Sequence, residues 1–444
     1  MDKNTITGFI LIAIILVAFS YFSRPTQEQI ERQKRYNDSV ALVEQQRQAA
    51  LVATQNNDQQ ISQDSLLNAG DSTSVELMSR AFGEFSVAAT GEEKFFTLEN
   101  ELVKLSFSNK GGRIYEAQLK NYRTHDSLPL LLFTGNESNM AFTLVTSNNK
   151  VVNTSNLFFE PAGEIQKDAE GNQTFIMRLK TSSEAYLDFV YTLPADDYML
   201  AFKIVPSGMN KVMPLAVNYL EMQWSSLIRQ QEKGRKFEDR YSSIHYKFDA
   251  GDMEKMSESK NDARKLSNKL KWIAFKDQFF SSILISEKPF TSASLESKIR
   301  NNDSVYLKEY AAEMVVPFDP TGKDITSFKM YLGPNKYSVL SAYDKGLSKD
   351  QKLNLKQIIP LGWGIFGWVS RWAIIPMFNL FSKFIGNYGI IILLMTLVIK
   401  LVLFPLTYKS YMSSAKMRVL KPEIDEIHAR IPADKAVERQ KATM

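Results

Sequence analysis

The sequence predicts a multi-domain membrane protein in which two hydrophobic helices hold one large all-β domain outside the bilayer. Three observations carry this reading. Apolar residues concentrate at the two ends of the chain, the stretch from about 93 to 350 alternates with period two, and basic residues gather just past the second apolar run. A chain of 444 residues is long enough for two or three domains, each with its own core.

The first element is residues 1–23. Ile6–Phe22 runs 17 residues without a charge, close to the ~20 that a helix needs to cross a bilayer. It reads as an N-terminal transmembrane anchor. Ala18-Phe19-Ser20 also fits a small-x-small cleavage pattern, so a removed signal peptide is the competing reading. Residues 24–92 are rich in Gln, Asn, Ser, Asp and Glu, as in Gln55-Asn56-Asn57-Asp58-Gln59-Gln60. Such a stretch buries too little apolar area to offset its ordering entropy. It is expected to be a flexible tether, with Gln27–Leu51 as a short juxtamembrane helix.

Residues 93–350 form the β-domain. In Val103–Ser108 apolar and polar side chains alternate, and Asn109-Lys110-Gly111-Gly112 supplies a turn. Similar runs follow at Phe175–Leu179, Tyr186–Leu193, Tyr198–Val205, Val315–Phe318 and Phe328–Leu332, separated by Asn, Asp, Gly and Pro clusters. Short strands between turn signals argue a β-sandwich. The charged stretch Met253–Lys271 reads as a loop or surface helix, and Tyr337–Gly346 as a short closing helix.

Residues 362–385 hold Trp363, Trp368 and Trp372 among apolar residues, with Arg371 and Lys383 between. Tryptophan favours the membrane interface because its ring is apolar while its N–H needs a partner. The segment is expected to be an interfacial amphipathic helix, broken at Pro376. A third span or a buried domain helix is the alternative. Residues 386–407 are the second transmembrane helix. Lys409, Lys416, Arg418 and Lys421 follow it and place its C-terminal side in the cytoplasm. The β-domain is then outside and the amino terminus inside.

Lys400 lies within this second span. A cation at the centre of a membrane helix costs about 2.5–3.5 kcal/mol on insertion scales. At ~100° per residue, Thr396, Lys400 and Thr407 share one face with Gly389, a polar stripe on an apolar helix. Two readings stand: a cation facing a wet cavity, or a lysine that snorkels to the cytoplasmic surface, ~9 Å away along the axis. Residues 408–444 read as the first arm of a cytoplasmic helical hairpin. Its stripe of Met412, Ala415, Val419, Ile424 and Ile427 calls for a partner helix, and Pro422 is expected to kink it. A solvated basic helix without a partner is the bland alternative.

Several classes are excluded or unsupported. The balance of 54 Lys+Arg against 49 Asp+Glu implies no specific nucleic-acid partner. Zero cysteines exclude disulfides and thiolate chemistry. His125, His245 and His428 follow no ligand spacing, and no phosphate-binding glycine loop or nucleophile–base pair is present. No catalytic residue, metal or cofactor is therefore assigned.

The motifs Gly386-Asn387-Tyr388-Gly389, Pro405-Leu406-Thr407 and Ser414-Ala415-Lys416-Met417-Arg418-Val419-Leu420-Lys421-Pro422 resemble the YidC/Oxa/Alb insertases. Weaker matches occur at Asn109-Lys110-Gly111-Gly112, Trp272-Ile273-Ala274-Phe275 and Leu332-Gly333-Pro334. The large outer domain is similar to that of the Gram-negative branch. The resemblance implies a periplasmic all-β supersandwich, an interfacial helix, and the first of five spans that enclose a hydrophilic groove in a bacterial inner membrane. It implies insertion of nascent membrane proteins into the lipid bilayer, with the Sec translocon and the ribosome as possible partners. Lys400 falls where the family usually carries arginine, which keeps the charge but loses bidentate pairing. The family continues beyond the hairpin arm, so these residues alone are not expected to complete the groove. Two rival functions are a tethered periplasmic glycan-binding module and a sugar-active enzyme using His125 or His245.

Overall fold

The computed structural model describes residues 71–444 except 215, 363, 432–434, 436–437, 439–440 and 443–444. The anchor Ile6–Phe22, the juxtamembrane helix Gln27–Leu51 and Trp363 lie outside the described residues.

Helix α1 (Asp71–Phe82) opens the described chain, and a 3₁₀ turn over Gly83–Ala88 follows. Four strands come next: β1 (Phe95–Glu99), β2 (Val103–Ser108), β3 (Arg113–Arg123) and β4 (Pro129–Thr134). The following strands are β5 (Ser138–Val145), β6 (Val151–Asn153), β7 (Glu160–Pro161), β8 (Gln166–Lys167), β9 (Gln173–Lys180), β10 (Tyr186–Leu193), β11 (Met199–Ser207) and β12 (Tyr219–Arg229). Helix α2 (Arg235–Tyr241) leads to β13 (Ser243–Phe248), β14 (Met253–Lys255), β15 (Asp262–Leu266) and β16 (Leu270–Lys276). The last strands are β17 (Phe280–Phe290), β18 (Ser292–Ile299), β19 (Tyr306–Pro317) and β20 (Thr326–Pro334).

These make three antiparallel sheets. One has the order β1-β2-β3-β4 and another β15-β18-β19-β12-β5-β6. The largest runs β14-β13-β16-β17-β20-β11-β10-β9-β7, with β8 added on β9. Phe189 and Tyr191 are two apart on β10 and so share a face. Phe189 meets Phe142 of the six-stranded sheet at 5.5 Å, while Tyr191 meets Phe107 of the four-stranded sheet at 4.7 Å. The large sheet is therefore one layer of a sandwich, and the two smaller sheets lie side by side as the other. Trp224 of β12 stacking on Phe275 of β16 at 3.8 Å closes the middle of the core.

Local chemistry explains the elements. In β12, Leu220, Met222 and Trp224 point inward while Glu221 and Gln223 point out. Strand β16 is buried on nearly every residue because its outer face is covered as well. There Trp272 Nε1 donates to the Leu353 carbonyl at 2.8 Å, and Leu355 and Ile358 are buried beside it. The Asn109–Gly112 turn needs its glycine. Gly112 has φ +61°, and a Cβ there would come within 3.0 Å of Phe159 and Phe189.

Two boundaries differ from the sequence reading. The tether does not extend to residue 92, because Phe85, Ala88 and Ala89 are buried in the core. The polar composition of the stretch hid this short apolar cluster. Met253–Lys271 is neither loop nor helix but contributes the edge strands β14 and β15 and the start of β16.

One end of the sandwich carries the exit from the domain. Asn335, just past β20, donates through Nδ2 to the carbonyls of Asp277 at 3.0 Å and Phe280 at 3.2 Å. The Phe280 ring meets Tyr122 of β3 edge-on at 5.2 Å. Helix α3 (Tyr337–Ala342) follows, then α4 (Gly364–Val369), a π-helical turn over Ser370–Ile374, α5 (Ile375–Ser382) and α6 (Tyr388–Arg430).

Candidate functional site

Helix α6 begins at Asn387, whose side chain accepts from the amides of Gly389 at 2.9 Å and Ile390 at 3.3 Å. This cap satisfies two of the orphan N–H groups at a helix start. The helix then runs 43 residues without interruption, about 65 Å at 1.5 Å per residue. Its first part is apolar on nearly all sides, and Ile392, Leu393, Leu401, Val402 and Phe404 are all exposed. A surface of this kind is stable in hydrocarbon, not in water. The expected break between a span ending at 407 and a separate hairpin arm is absent, and Pro405 and Pro422 lie inside the continuous helix. Each proline removes one hydrogen bond, and the rest of the ladder carries the helix through.

Continuity extends the polar stripe. Thr396, Lys400 and Thr407 are all exposed, and at ~100° per residue they stay within about 40° of one another. Ser414 and Arg418 fall on the same face beyond the apolar part, whereas Lys409 and Lys416 lie on the opposite side and Lys421 sits at the edge of the stripe, about 20° from Thr396 and about 60° from Lys400. The four basic residues after the span are thus not one cluster. Only Arg418 lines up with Lys400. Ser414 was legible at the same spacing, once the helix is not cut at Thr407.

The threonine hydroxyls do not reach out. Thr396 Oγ1 donates to the Ile392 carbonyl at 2.8 Å, and Thr407 Oγ1 to the carbonyls of Leu403 and Phe404 at 3.1 and 2.9 Å. Their protons are satisfied within the helix, as in other membrane helices. Lys400 differs, because among the described residues no carboxylate or carbonyl takes its ammonium. Within the apolar part of the helix, the chemical demand of the stripe comes from this one group.

The segment before α6 is helical across the expected break. Pro376 would clash with the carbonyl of Trp372 in a regular α-helix. The π-helical turn Ser370–Ile374 just before it re-spaces the carbonyls, so the helix continues. Trp368 and Trp372 are 60% and 71% exposed, one turn apart. Gly367 is required here, since a Cβ would come within 2.5 Å of the Gly362 oxygen. The helix turns back on α6, with Phe378 stacked on Tyr388 at 5.9 Å.

His125 and His245 sit in separate surroundings. His245 is buried, and burial first, then the charge of Lys276, pushes its imidazole down to about 3. His125 Nδ1 sits 3.1 Å from the Gln231 carbonyl. Among the described residues no His, Asp and Glu group could hold a metal ion.

A β-sandwich joined to a long helix that is apolar and exposed through its first part defines the class, a membrane-bound protein with a large domain outside the bilayer. Residues 96–375 match the family described as the YidC periplasmic domain, and residues 380–444 match the 60Kd inner membrane protein family. The membrane protein insertase YidC of Parabacteroides distasonis is 51% identical over the whole chain, which covers 69% of that relative. The insertase of Bacteroides fragilis strain ATCC 25285 is 41% identical with the same coverage. Among solved structures, an active YidC insertase is similar at 15% identity and a TM-score of 0.33, over 80% of this chain and 66% of that one. A galactose mutarotase related enzyme from Lactobacillus acidophilus is similar at 12% identity and a TM-score of 0.35, over 54% of this chain and 97% of that one. The chain belongs to the YidC family of membrane protein insertases, which are inner-membrane proteins and not enzymes.

Proposed function

We propose that the chain inserts nascent membrane proteins without covalent chemistry or nucleotide, and that Lys400 receives the acidic or polar flank of the incoming segment. The observation that carries this is an unpaired ammonium on a helix whose neighbours are exposed hydrocarbon. Such a charge is stable there only beside water, a partner or an interface. A client flank is drawn to it by Coulomb attraction, and the client's apolar segment then moves into lipid, driven by burial of its own surface. Helical spacing makes Thr396 and Thr407 neighbours of Lys400, and the family resemblance supports a groove at that face completed by further spans.

The same reading places the β-domain in the periplasm, Trp363, Trp368 and Trp372 at the outer interface, and the C-terminal part of α6 in the cytoplasm with Lys409, Lys416, Arg418 and Lys421. The protein is then multi-pass. The Sec translocon and the ribosome are the partners to test for the cytoplasmic and lateral surfaces.

Lys400→Ala and Lys400→Arg, made in the protein expressed from its own gene, test the mechanism. With a client carrying an acidic flank, the Ala variant is expected to slow insertion at least about fivefold, the worth of roughly 1 kcal/mol of charge attraction. The Arg variant is expected to keep it. Unchanged insertion by Lys400→Ala overturns the role of the charge.

A further inference from the structure

A second group of unpaired cations lies on the β-domain, where the insertion mechanism does not use them. The stretch is Lys233-Gly234-Arg235-Lys236-Phe237-Glu238-Asp239-Arg240-Tyr241, ending in helix α2. Its inner side is fixed. Glu238 is buried and accepts the amides of Gln231 and Glu232 at 2.8 and 3.2 Å. Arg235 donates to the carbonyls of Arg300 and Tyr306, both at 2.8 Å. The fully buried Lys308 ties the helix end to the facing loop through the carbonyls of Asp239, Ser242 and Glu258.

The outer side is different. Lys236 and Arg240 are exposed, one helical turn apart, and neither has a partner among the described residues. Phe237 stands between them, 54% exposed. The two cations line an open cleft of about 580 Å³ together with Lys255 and Arg264, which are already paired, Lys255 with Glu258 and Arg264 with Asp262 and Glu254. The carboxylates in the cleft are engaged, Asp239 by Lys308 and Glu258 by Lys255. The surface is therefore positive, rigidly backed, and carries a half-exposed ring, Phe237, whose one ring contact is with Tyr241 at 5.0 Å among the described residues.

Its place in the fold identifies what it meets. Ser242, the residue after α2, donates to Asp277 at 2.7 Å, and Asp277 opens the turn that leads to Phe279, 49% exposed. This turn is bonded to Asn335 at the domain exit, and Phe280 packs on Tyr122. Burial pushes the Tyr122 phenol up, a hydrogen bond with Tyr198 opposes it, and the nearby Tyr388 adds to the rise. Tyr388 is the first residue of α6. Helix α2 and the Phe279 turn thus share the end of the sandwich from which the chain enters the membrane.

We infer that α2 and the Phe279 turn dock the β-domain on the bilayer, with Lys236 and Arg240 holding anionic phospholipid phosphates while Phe237 and Phe279 enter the headgroup layer. A cation near an anionic membrane surface and an aromatic ring at headgroup depth are both stabilising. Docking sets the height of the sandwich above the span. The inference rests on α6 being a span, and the test separates the two.

The chain has no cysteine, so single nitroxide labels can be placed without background. Three sites are used in the full protein reconstituted in bilayers of phosphatidylglycerol and phosphatidylethanolamine: Phe237→Cys, Leu397→Cys on α6, and Val151→Cys. Val151 lies on β6, paired with β5 at the end of the sandwich away from α2. The label at 397 is expected to sense oxygen dissolved in hydrocarbon. The label at 237 is expected to collide with a lipid-anchored nickel chelate well above the label at 151. Lys236→Gln with Arg240→Gln is expected to lower the docking equilibrium constant roughly fivefold for each cation removed, with the melting temperature unchanged. A label at 397 outside hydrocarbon overturns the span. A label at 397 in hydrocarbon with 237 no nearer lipid than 151 overturns the docking alone. Equal docking on pure phosphatidylcholine overturns the role of anionic headgroups.

Discussion

Lys308 in the β-domain and Lys400 on α6 each carry an ammonium away from bulk water, and the protein meets that cost in opposite ways. Lys308 is 0% exposed. It donates to the carbonyls of Asp239, Ser242 and Glu258 at 2.9, 2.7 and 2.7 Å, with the Asp239 carboxylate at 3.3 Å. Every proton is taken, and two of the acceptors are carbonyls at the end of α2, where a cation also meets the helix dipole. Lys400 faces outward among leucines and valines, with no acceptor among the described residues. A cation satisfied from all sides holds a structure together. A cation left without a partner on a lipid-facing helix is available to another molecule.

The sharpest way to break this comparison is to remove the satisfied charge. Lys308→Met keeps the stem and deletes the ammonium, leaving the Asp239 carboxylate uncompensated and taking a donor from the carbonyls of Asp239, Ser242 and Glu258. Removing one partner of a buried pair costs about 3–5 kcal/mol. The expected result is a large drop in the urea midpoint of the β-domain, read by fluorescence of the buried Trp224 and Trp272. A change below about 1 kcal/mol would show that water replaces the ammonium and that Lys308 is no clamp.

The next effect is pH-dependent and comes from the neighbouring carboxyls. Glu238 is raised to about 9, first by burial and then by the charge of Asp277, itself raised by burial. Glu238 therefore holds a proton that the unfolded chain releases at its ordinary carboxyl value. The folded state therefore binds more protons, and stability falls as pH rises toward 9. Two groups run the other way. His245, lowered to about 3, gains stability as pH rises toward 6.5, and Lys276, lowered to about 8 by burial, does so above 8. Between pH 6.5 and 8 the carboxyl pair dominates, with a slope of up to about 1.4 kcal/mol per pH unit. Glu238→Gln is expected to flatten that slope, measured as melting temperature against pH. A slope that persists in the variant would place the proton elsewhere.

Much of this was legible in the sequence where local pattern and final structure agree. The alternation in Tyr186–Leu193 marks strand β10 end to end, and Tyr337–Gly346 contains α3. Lys400 was identifiable because a charge in an apolar run is conspicuous whatever surrounds it. What was missed depends on distant partners. The residues bonded to Lys308 are 50 to 69 positions away, so nothing local marks that lysine as buried. Phe85 in a polar stretch gained its core place from sheets that come later in the chain. Pro376 and Pro422 are helix-breaking signals that a π-helical turn and a long flanking helix override. The cations of α2 look like ordinary surface charge until the fold brings them to the domain exit.

The smallest expected effect sharpens the comparison at the other lysine. If the polar stripe worked through all its members, Thr396→Val with Thr407→Val would weaken insertion about as much as Lys400→Ala. Both hydroxyls already donate back to carbonyls of their own helix, so exchanging them for a methyl of similar size removes little that a client could use. The double variant is expected to insert an acidic-flanked client within about twofold of the parent, a difference of roughly 0.4 kcal/mol at 1.36 kcal/mol per tenfold. A loss of tenfold would mean that the hydroxyl lone pairs, or water held on them, meet the client directly. The working surface would then be the stripe as a whole, and the unpaired ammonium only its most charged point.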